Sequence, residues 1–221
     1  MNRHGHAQTW IIVALAAASL LTSALVTLSF LKRRGAAGEV AGPGDAPVPG
    51  VAVWYALPEF ALTDDKGQPF TRADLAGGRV SIVNFIFTRC QGPCPRMTSA
   101  MAGLQAQLRE TPMWPRLQLV SVSVDPEYDT PPVLAQYAGW AHAEAGKWRF
   151  VTGSRAAVWD LIVEGFKLPV GEAVDNPDEP IYHSQKFVLV DGQGRVRGAY
   201  DGLEPEGVAA MLRDVQTLMG E

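Results

Sequence analysis

Apolar residues are spaced in two ways along this chain. From Thr9 to Leu31 they run on as TWIIVALAAASLLTSALVTLSFL, with no charge, proline or glycine. At about 1.5 Å per residue, a helix of this length spans the roughly 30 Å hydrocarbon core of a membrane. The run is longer than the roughly 7 to 15 residues of a signal core and ends in Lys32-Arg33-Arg34 without a small-residue cleavage pattern, so it reads as an uncleaved anchor. The chain then divides into a tail (1–8), a transmembrane helix (9–31), a linker rich in Gly, Ala and Pro (32–58) and one domain (59–221) large enough to bury a core.

Within the domain the apolar positions come in shorter units. Residues 59–63 alternate and lead into DDKGQPF, which predicts a short hairpin. RVSIVNFIF (79–87) and LQLVSVSVD (117–125) are rich in β-branched and apolar residues and read as strands covered on both faces, the mark of central parallel strands. Between them Met97, Met101, Leu104 and Leu108 recur at helical spacing after Pro95, a residue suited to a first helical turn. A helix from Pro131 or Pro132, a strand at WRFVTG and a helix capped by Ser154 follow. A hairpin turning at Asp191-Gly192-Gln193-Gly194 and a helix from about Pro205 to Met219 complete the series. This order predicts an α/β domain with a mixed sheet, thioredoxin-like with an inserted hairpin.

Charge changes the picture only by exclusion. The formal net charge is −4 and no basic run follows Arg34, so nucleic acid is not an expected partner. Arg3 on one side of the apolar run, against Lys32, Arg33 and Arg34 on the other, gives a marginal bias toward a cytoplasmic domain.

The candidate chemistry lies in TRCQGPCP, which contains the chain's two cysteines, Cys90 and Cys94. They follow the first central strand and precede a helix, the position where open α/β sheets place their sites. Four apart on a helical turn, the side chains would point the same way, and the helix amino terminus favours the thiolate needed for metal ligation or thiol exchange. A disulfide between them would close a very short loop and make a poor staple.

Of the four histidines, His4 and His6 precede the apolar run, and His142 ends an amphipathic helix facing solvent. His183, in PIYHSQKFVLV, stands on a loop that would deliver its ring to the sheet edge near the end of the first strand. With Cys90 and Cys94 it makes a sulfur-rich set suited to copper, with zinc as the competitor. Asp125 reads as a turn residue serving Pro126, or else as a carboxylate that orients the histidine. Met97 and Met101 read as core, and the acidic stretch GEAVDNPDEP (171–180) as a solvated loop.

Three segments in order, FTRCQGPCPRM, VSVDPEYDTPPVLAQYA and YHSQKFVLVDGQG, resemble the Sco/SenC family of membrane-anchored proteins that assemble the dinuclear copper centre of cytochrome c oxidase. The resemblance covers the chain from about Leu57 to its end. It implies a thioredoxin fold and copper ligands at Cys90, Cys94 and His183, holding Cu(I) or Cu(II). Gln91 departs from the family's frequent proline after the first cysteine. The resemblance also implies a single-pass inner-membrane protein with its domain in the periplasm, against the charge bias. A periplasmic copper donor and the copper-site subunit of the oxidase become the expected partners, and the expected role is copper metallochaperone. A thiol-disulfide reductase that keeps the oxidase cysteines reduced is the alternative use of the same thiols. A peroxiredoxin-like peroxidase ranks below both, because Phe87 stands where that family has a threonine.

Overall fold

The computed structural model describes residues 50–173 and 180–220. The expected tail, transmembrane helix, most of the linker and residues 174–179 of the acidic stretch lie outside the described residues. No helix among the described residues is long and apolar enough to cross a membrane.

The central strand is β4 (Val80–Ile86), and parallel to it runs β5 (Leu117–Ser123), with every residue of both strands buried. A third parallel strand, β6 (Trp148–Thr152), joins β5. On the other flank of β4, antiparallel β9 (Lys186–Val190) pairs with β10 (Arg195–Asp201), and β10 with β1 (Tyr55–Ala56). The hairpin of β2 (Ala61–Asp64) and β3 (Pro69–Thr71) extends the sheet beyond β6. The order is β1-β10-β9-β4-β5-β6-β2-β3, a mixed sheet as the alternation of strands and helices predicts.

The buried strands are not purely apolar. Ser81, Asn84, Gln118 and Ser121 are all at most 1% exposed. They are accommodated by bonding across the ladder: Gln118 Nε2 donates to Ser81 Oγ at 2.8 Å, Ser121 Oγ to Asn84 Oδ1 at 2.7 Å, and Trp148 Nε1 to Ser121 Oγ at 2.9 Å. Pairing offsets part of the desolvation cost of such groups, while Asn84 Nδ2 and Gln118 Oε1 find no hydrogen-bond partner among the described residues.

A single turn, α1 (Arg72–Leu75), follows β3. The longer α2 (Cys94–Leu108) buries Met97, Met101, Leu104 and Leu108, the face read from their spacing. Next come α3 (Pro131–Trp140) and α4 (Arg155–Asp160), whose Ser154 cap accepts from the Ala157 N–H at 3.2 Å. The last helix is α5 (Pro205–Gly220). Helices α2 and α5 pack on β4, and α3 on β6.

Two local expectations change. Residues 51–57, read as linker, belong to the domain: β1 completes the sheet and Leu57 is 3% exposed. Composition hid this, because the Gly/Pro-rich run grades into Val51, Tyr55 and Leu57, which find apolar partners in the core. The segment before β9 is also not a plain loop. There β7 (Val170–Glu172) and β8 (Ile181–His183) form a separate antiparallel ribbon. Three-residue strands are too short to show a sequence period, and these hold each other by backbone pairing.

Candidate metal centre

The carboxyl end of β4 leads through Phe87, Thr88 and Arg89 to Cys90, and Cys94 is the first residue of α2. The cysteines therefore do not share a helical turn. Cys90 lies before the helix, on an irregular stretch ending at Pro93, and only Cys94 has helical geometry. Pro93 is the cap residue, and its carbonyl takes the first full-turn bond, from the Met97 N–H at 3.0 Å. The dipeptide Gly92-Pro93 thus delays the helix, which spacing alone could not reveal.

Neither cysteine is in a disulfide and both are buried, Cys90 at 6% exposure and Cys94 at 0%. His183, at the end of β8, reaches the same place: its Nε2 lies 3.3 Å from Cys94 Sγ. The other ring nitrogen, Nδ1, is 3.0 Å from the Ser184 carbonyl. A carbonyl only accepts, so Nδ1 carries a proton and the neutral ring turns the lone pair of Nε2 toward the sulfur. Burial lowers the pKa of His183, opposed by the Ser184 bond, so the neutral ring is the form at neutral pH. Phe87 packs edge-on to the imidazole, with ring centres 5.8 Å apart. The register explains the meeting: β9 runs antiparallel to β4, so the residues just before β9 return to the carboxyl end of β4.

The structure therefore brings Cys94 and His183 into contact and places Cys90 four residues before Cys94. Among the described residues no three histidine, cysteine or carboxylate side chains are already gathered to hold a metal ion. The donor types, two sulfurs and a neutral imidazole nitrogen, are those that suit a soft ion.

Of the two readings of Asp125, the structure shows the turn, and the side chain meets Arg89. Its carboxylate, 1% exposed, accepts from Arg89 Nε at 2.7 Å, and its carbonyl takes the Tyr128 and Asp129 N–H groups in a turn. It holds the residue before Cys90, while the Ser184 carbonyl holds the histidine. Sequence reading also missed Asp129, 0% exposed, which accepts from the Thr88 N–H at 3.1 Å and from the hydroxyls of Thr88 and Ser123. Burial pushes the Asp129 carboxyl up, against these hydrogen bonds, and the nearby Asp125 charge adds to the rise. Two buried carboxylates from the β5–α3 connection thus grip the two residues ahead of Cys90. The visible signal was the spacing of two aspartates in DPEYD, a pattern that also fits any capped turn.

Tyr137 closes the site from α3, its hydroxyl 2.9 Å from Thr98 Oγ1. Burial, opposed by the Thr98 bond and helped by electrostatic repulsion from the neighbouring acidic groups, pushes that hydroxyl up to about 12. Met97 and Met101 are fully buried core residues and His142 is exposed, both as expected.

Known proteins point the same way. A family model described as SCO1/SenC matches residues 55–220. A Stutzerimonas stutzeri protein named for copper binding is 34% identical over 145 residues, covering 65% of this chain and 68% of its own length. A SCO1/SenC family lipoprotein from Bacillus anthracis superposes with a TM-score of 0.67 at 31% identity, covering 75% of this chain and 95% of that one. BsSco, described as a member of the Sco family of cytochrome c oxidase assembly proteins with a disulfide switch, gives a TM-score of 0.65 at 29% identity, over 74% and 93% of the two chains.

Proposed function

Since the chain belongs to the SCO1/SenC family, we propose that it carries copper to the dinuclear copper site of cytochrome c oxidase, with Cys90, Cys94 and His183 as ligands and the ion as cargo. The observation that carries this reading is the approach of His183 Nε2 to Cys94 Sγ at 3.3 Å across 89 residues of sequence. A thiol-exchange protein has no need of a tautomer-fixed imidazole against one of its sulfurs, whereas a copper carrier does.

Each residue has a stated part. The Ser184 carbonyl keeps the Nδ1 proton and leaves Nε2 free to bind. Cys94 is set by the first turn of α2. Cys90, on the irregular stretch, is the ligand that closes on the ion and the one that opens to let it go. The proposed setting is the one the resemblance implies: residues 9–31 anchor the chain in the inner membrane, residues 32 onward lead to a periplasmic domain, and a periplasmic donor supplies the ion.

Two cysteines four residues apart and not joined in a disulfide also support a second reading, a thiol-disulfide reductase acting on the oxidase cysteines. The two are separated by replacing His183 with Ala in the purified, reduced chain and measuring copper stoichiometry, visible absorption and disulfide-reductase rate together. The carrier reading expects one copper per wild-type chain and loss of Cu(II) retention in the variant with the reductase rate unchanged. Equal copper retention in both proteins would refute the three-ligand site.

A further inference from the structure

Both sulfurs are buried, so a recipient cannot collect an ion or exchange a disulfide by random collision; its own thiols have to be brought in by a surface beside the site. One such surface is present. A cavity of about 340 Å³ is lined by Thr88, Tyr128, Val133, Gln136, Tyr137 and Trp140. Its aromatic rim is unusually open: Tyr128 is 51% and Trp140 58% exposed, among the few large apolar side chains of the described residues left in solvent.

The cleft is tied to the cysteines in two ways. Thr88, in its wall, is two residues from Cys90, so their Cα atoms are at most about 7 Å apart. Tyr128 lies between Asp125 and Asp129, the two carboxylates that grip Thr88 and Arg89, and the Arg89 guanidinium stands 5.2 Å from its ring centre. Trp140 in turn leans on Tyr137, with ring centres 5.2 Å apart. The rim and the two residues ahead of Cys90 are therefore joined by direct contacts.

Charge says what fits. Residues 88–99, TRCQGPCPRMTS, carry Arg89 and Arg96, both exposed, and no carboxylate. Asp125 takes one edge of Arg89, and 48% of that side chain is left to solvent. We propose that this cleft is the docking site for the thiol-bearing segment of the recipient protein, a segment with an aromatic side chain two to four residues from its cysteine and an acidic residue between them. The aromatic ring fills the cleft, the carboxylate meets Arg89, and the cysteine is left at Cys90. This inference rests on the proposed function above and names the chemistry of its partner.

The probe is a pair of eight-residue peptides, each with one cysteine carried as a mixed disulfide with thionitrobenzoate. One has a tryptophan three residues from the cysteine and a glutamate between them; in the other both are alanine. A cysteine thiolate of the reduced chain attacks the peptide sulfur and expels thionitrobenzoate, whose colour reports the rate. The second cysteine then displaces the peptide thiol and leaves the Cys90–Cys94 disulfide, so two electrons pass from the protein to the peptide disulfide.

The tryptophan peptide is expected to react about tenfold faster than its alanine counterpart, with the advantage shrinking at high salt. Trp140→Ser and Tyr128→Ser should each remove most of that advantage and leave the alanine peptide and the small dithiobis reagent unaffected. Equal rates for the two peptides, or variants that slow every reagent alike, overturn the docking site. A chain inert to the small reagent removes the reactive thiols and the inference with them. A preserved peptide preference in a chain that retains no copper upholds the docking site and refutes the copper cargo.

Discussion

Removing the Asp129 carboxylate tests whether the grip on the cysteine segment works through geometry or through charge. Asp129→Ala takes the acceptor away from three donors: the Thr88 N–H, the Thr88 hydroxyl and the Ser123 hydroxyl. The Thr88 hydroxyl is half-buried and can turn to water, but Ser123 is 0% exposed. Two stranded donors at about 1–3 kcal/mol each, less the relief of removing a buried carboxylate, leave a net loss of about 3 kcal/mol. Asp129→Asn behaves differently. Its amide oxygen can accept from the Thr88 N–H and Ser123 while its NH2 group donates to the Thr88 hydroxyl, so its cost at pH 7 is about 0–1 kcal/mol. Urea unfolding should place the Ala midpoint about 1 M below that of Asn, for an m-value of about 2 kcal/mol/M. Alkylation of Cys90 should accelerate in the Ala variant alone. The pH dependence adds a signed check. Because burial raises the Asp129 carboxyl, the native state holds more protons than the unfolded chain between the unfolded value near 3.9 and the native one, and wild-type stability falls as pH rises through that window. The Asn variant lacks that fall, so its stability relative to wild type improves with pH across the window. Equal midpoints for Ala and Asn, or equal alkylation rates, would refute the hydrogen-bonded grip.

Two further outcomes follow from other parts of the fold. Arg149 donates to Asp74 at 2.7 Å and to Asp64 at 3.0 Å, and the Asp64 side chain is only 7% exposed; Arg149→Met should therefore cost about 3 kcal/mol in urea unfolding at pH 7. Burial opposes ionisation of Asp74, but the Thr71 and Arg149 bonds outweigh it and hold its pKa low, so the loss should shrink as pH falls below about 4, and a loss constant down to pH 3 would contradict the pairing. Since burial depresses the pKa of His183, the unfolded chain binds the extra proton first and native stability is lost as pH falls through the unfolded value near 6.5; His183→Leu should flatten the stability–pH curve between pH 7.5 and 5.5, and an unchanged slope would sink the burial argument.

The parts of this molecule that could be read from sequence are those where one residue type has one plausible use. The apolar runs of β4 and β5 admit no reading except strands covered on both faces, and the Met97–Leu108 spacing admits only one buried helical side. Cys94 and His183 could be grouped because the chain has only two cysteines and four histidines, even though 89 residues separate the pair. The parts that stayed hidden have several uses each. Asp129 looks like any turn aspartate until Thr88 is seen beneath it. Asp125 could serve the histidine or the cysteine segment, and only the packing of Arg89 decides. That Cys90 lies outside the helix depended on where Pro93 lets α2 begin. The β7–β8 ribbon that presents His183 exists through backbone pairing between two three-residue pieces, a long-range event with no local pattern.

The far end of the sheet has its own consequence. Arg197, 4% exposed, donates to the Val51 and Ala52 carbonyls and pairs with Asp191 at 2.8 Å, while the Gly78 N–H meets the Gly192 carbonyl just before β4 begins. The polypeptide is thus moored at the pole from which β4 departs. The seven residues of β4 then act as a mast of about 23 Å with the sulfurs at its top. Tension applied through the chain ahead of Val51 would load the guanidinium clasp and β10 first and leave the cysteine segment slack. The meeting of Cys94 and His183 thus lies about the full height of β4 away from that clasp.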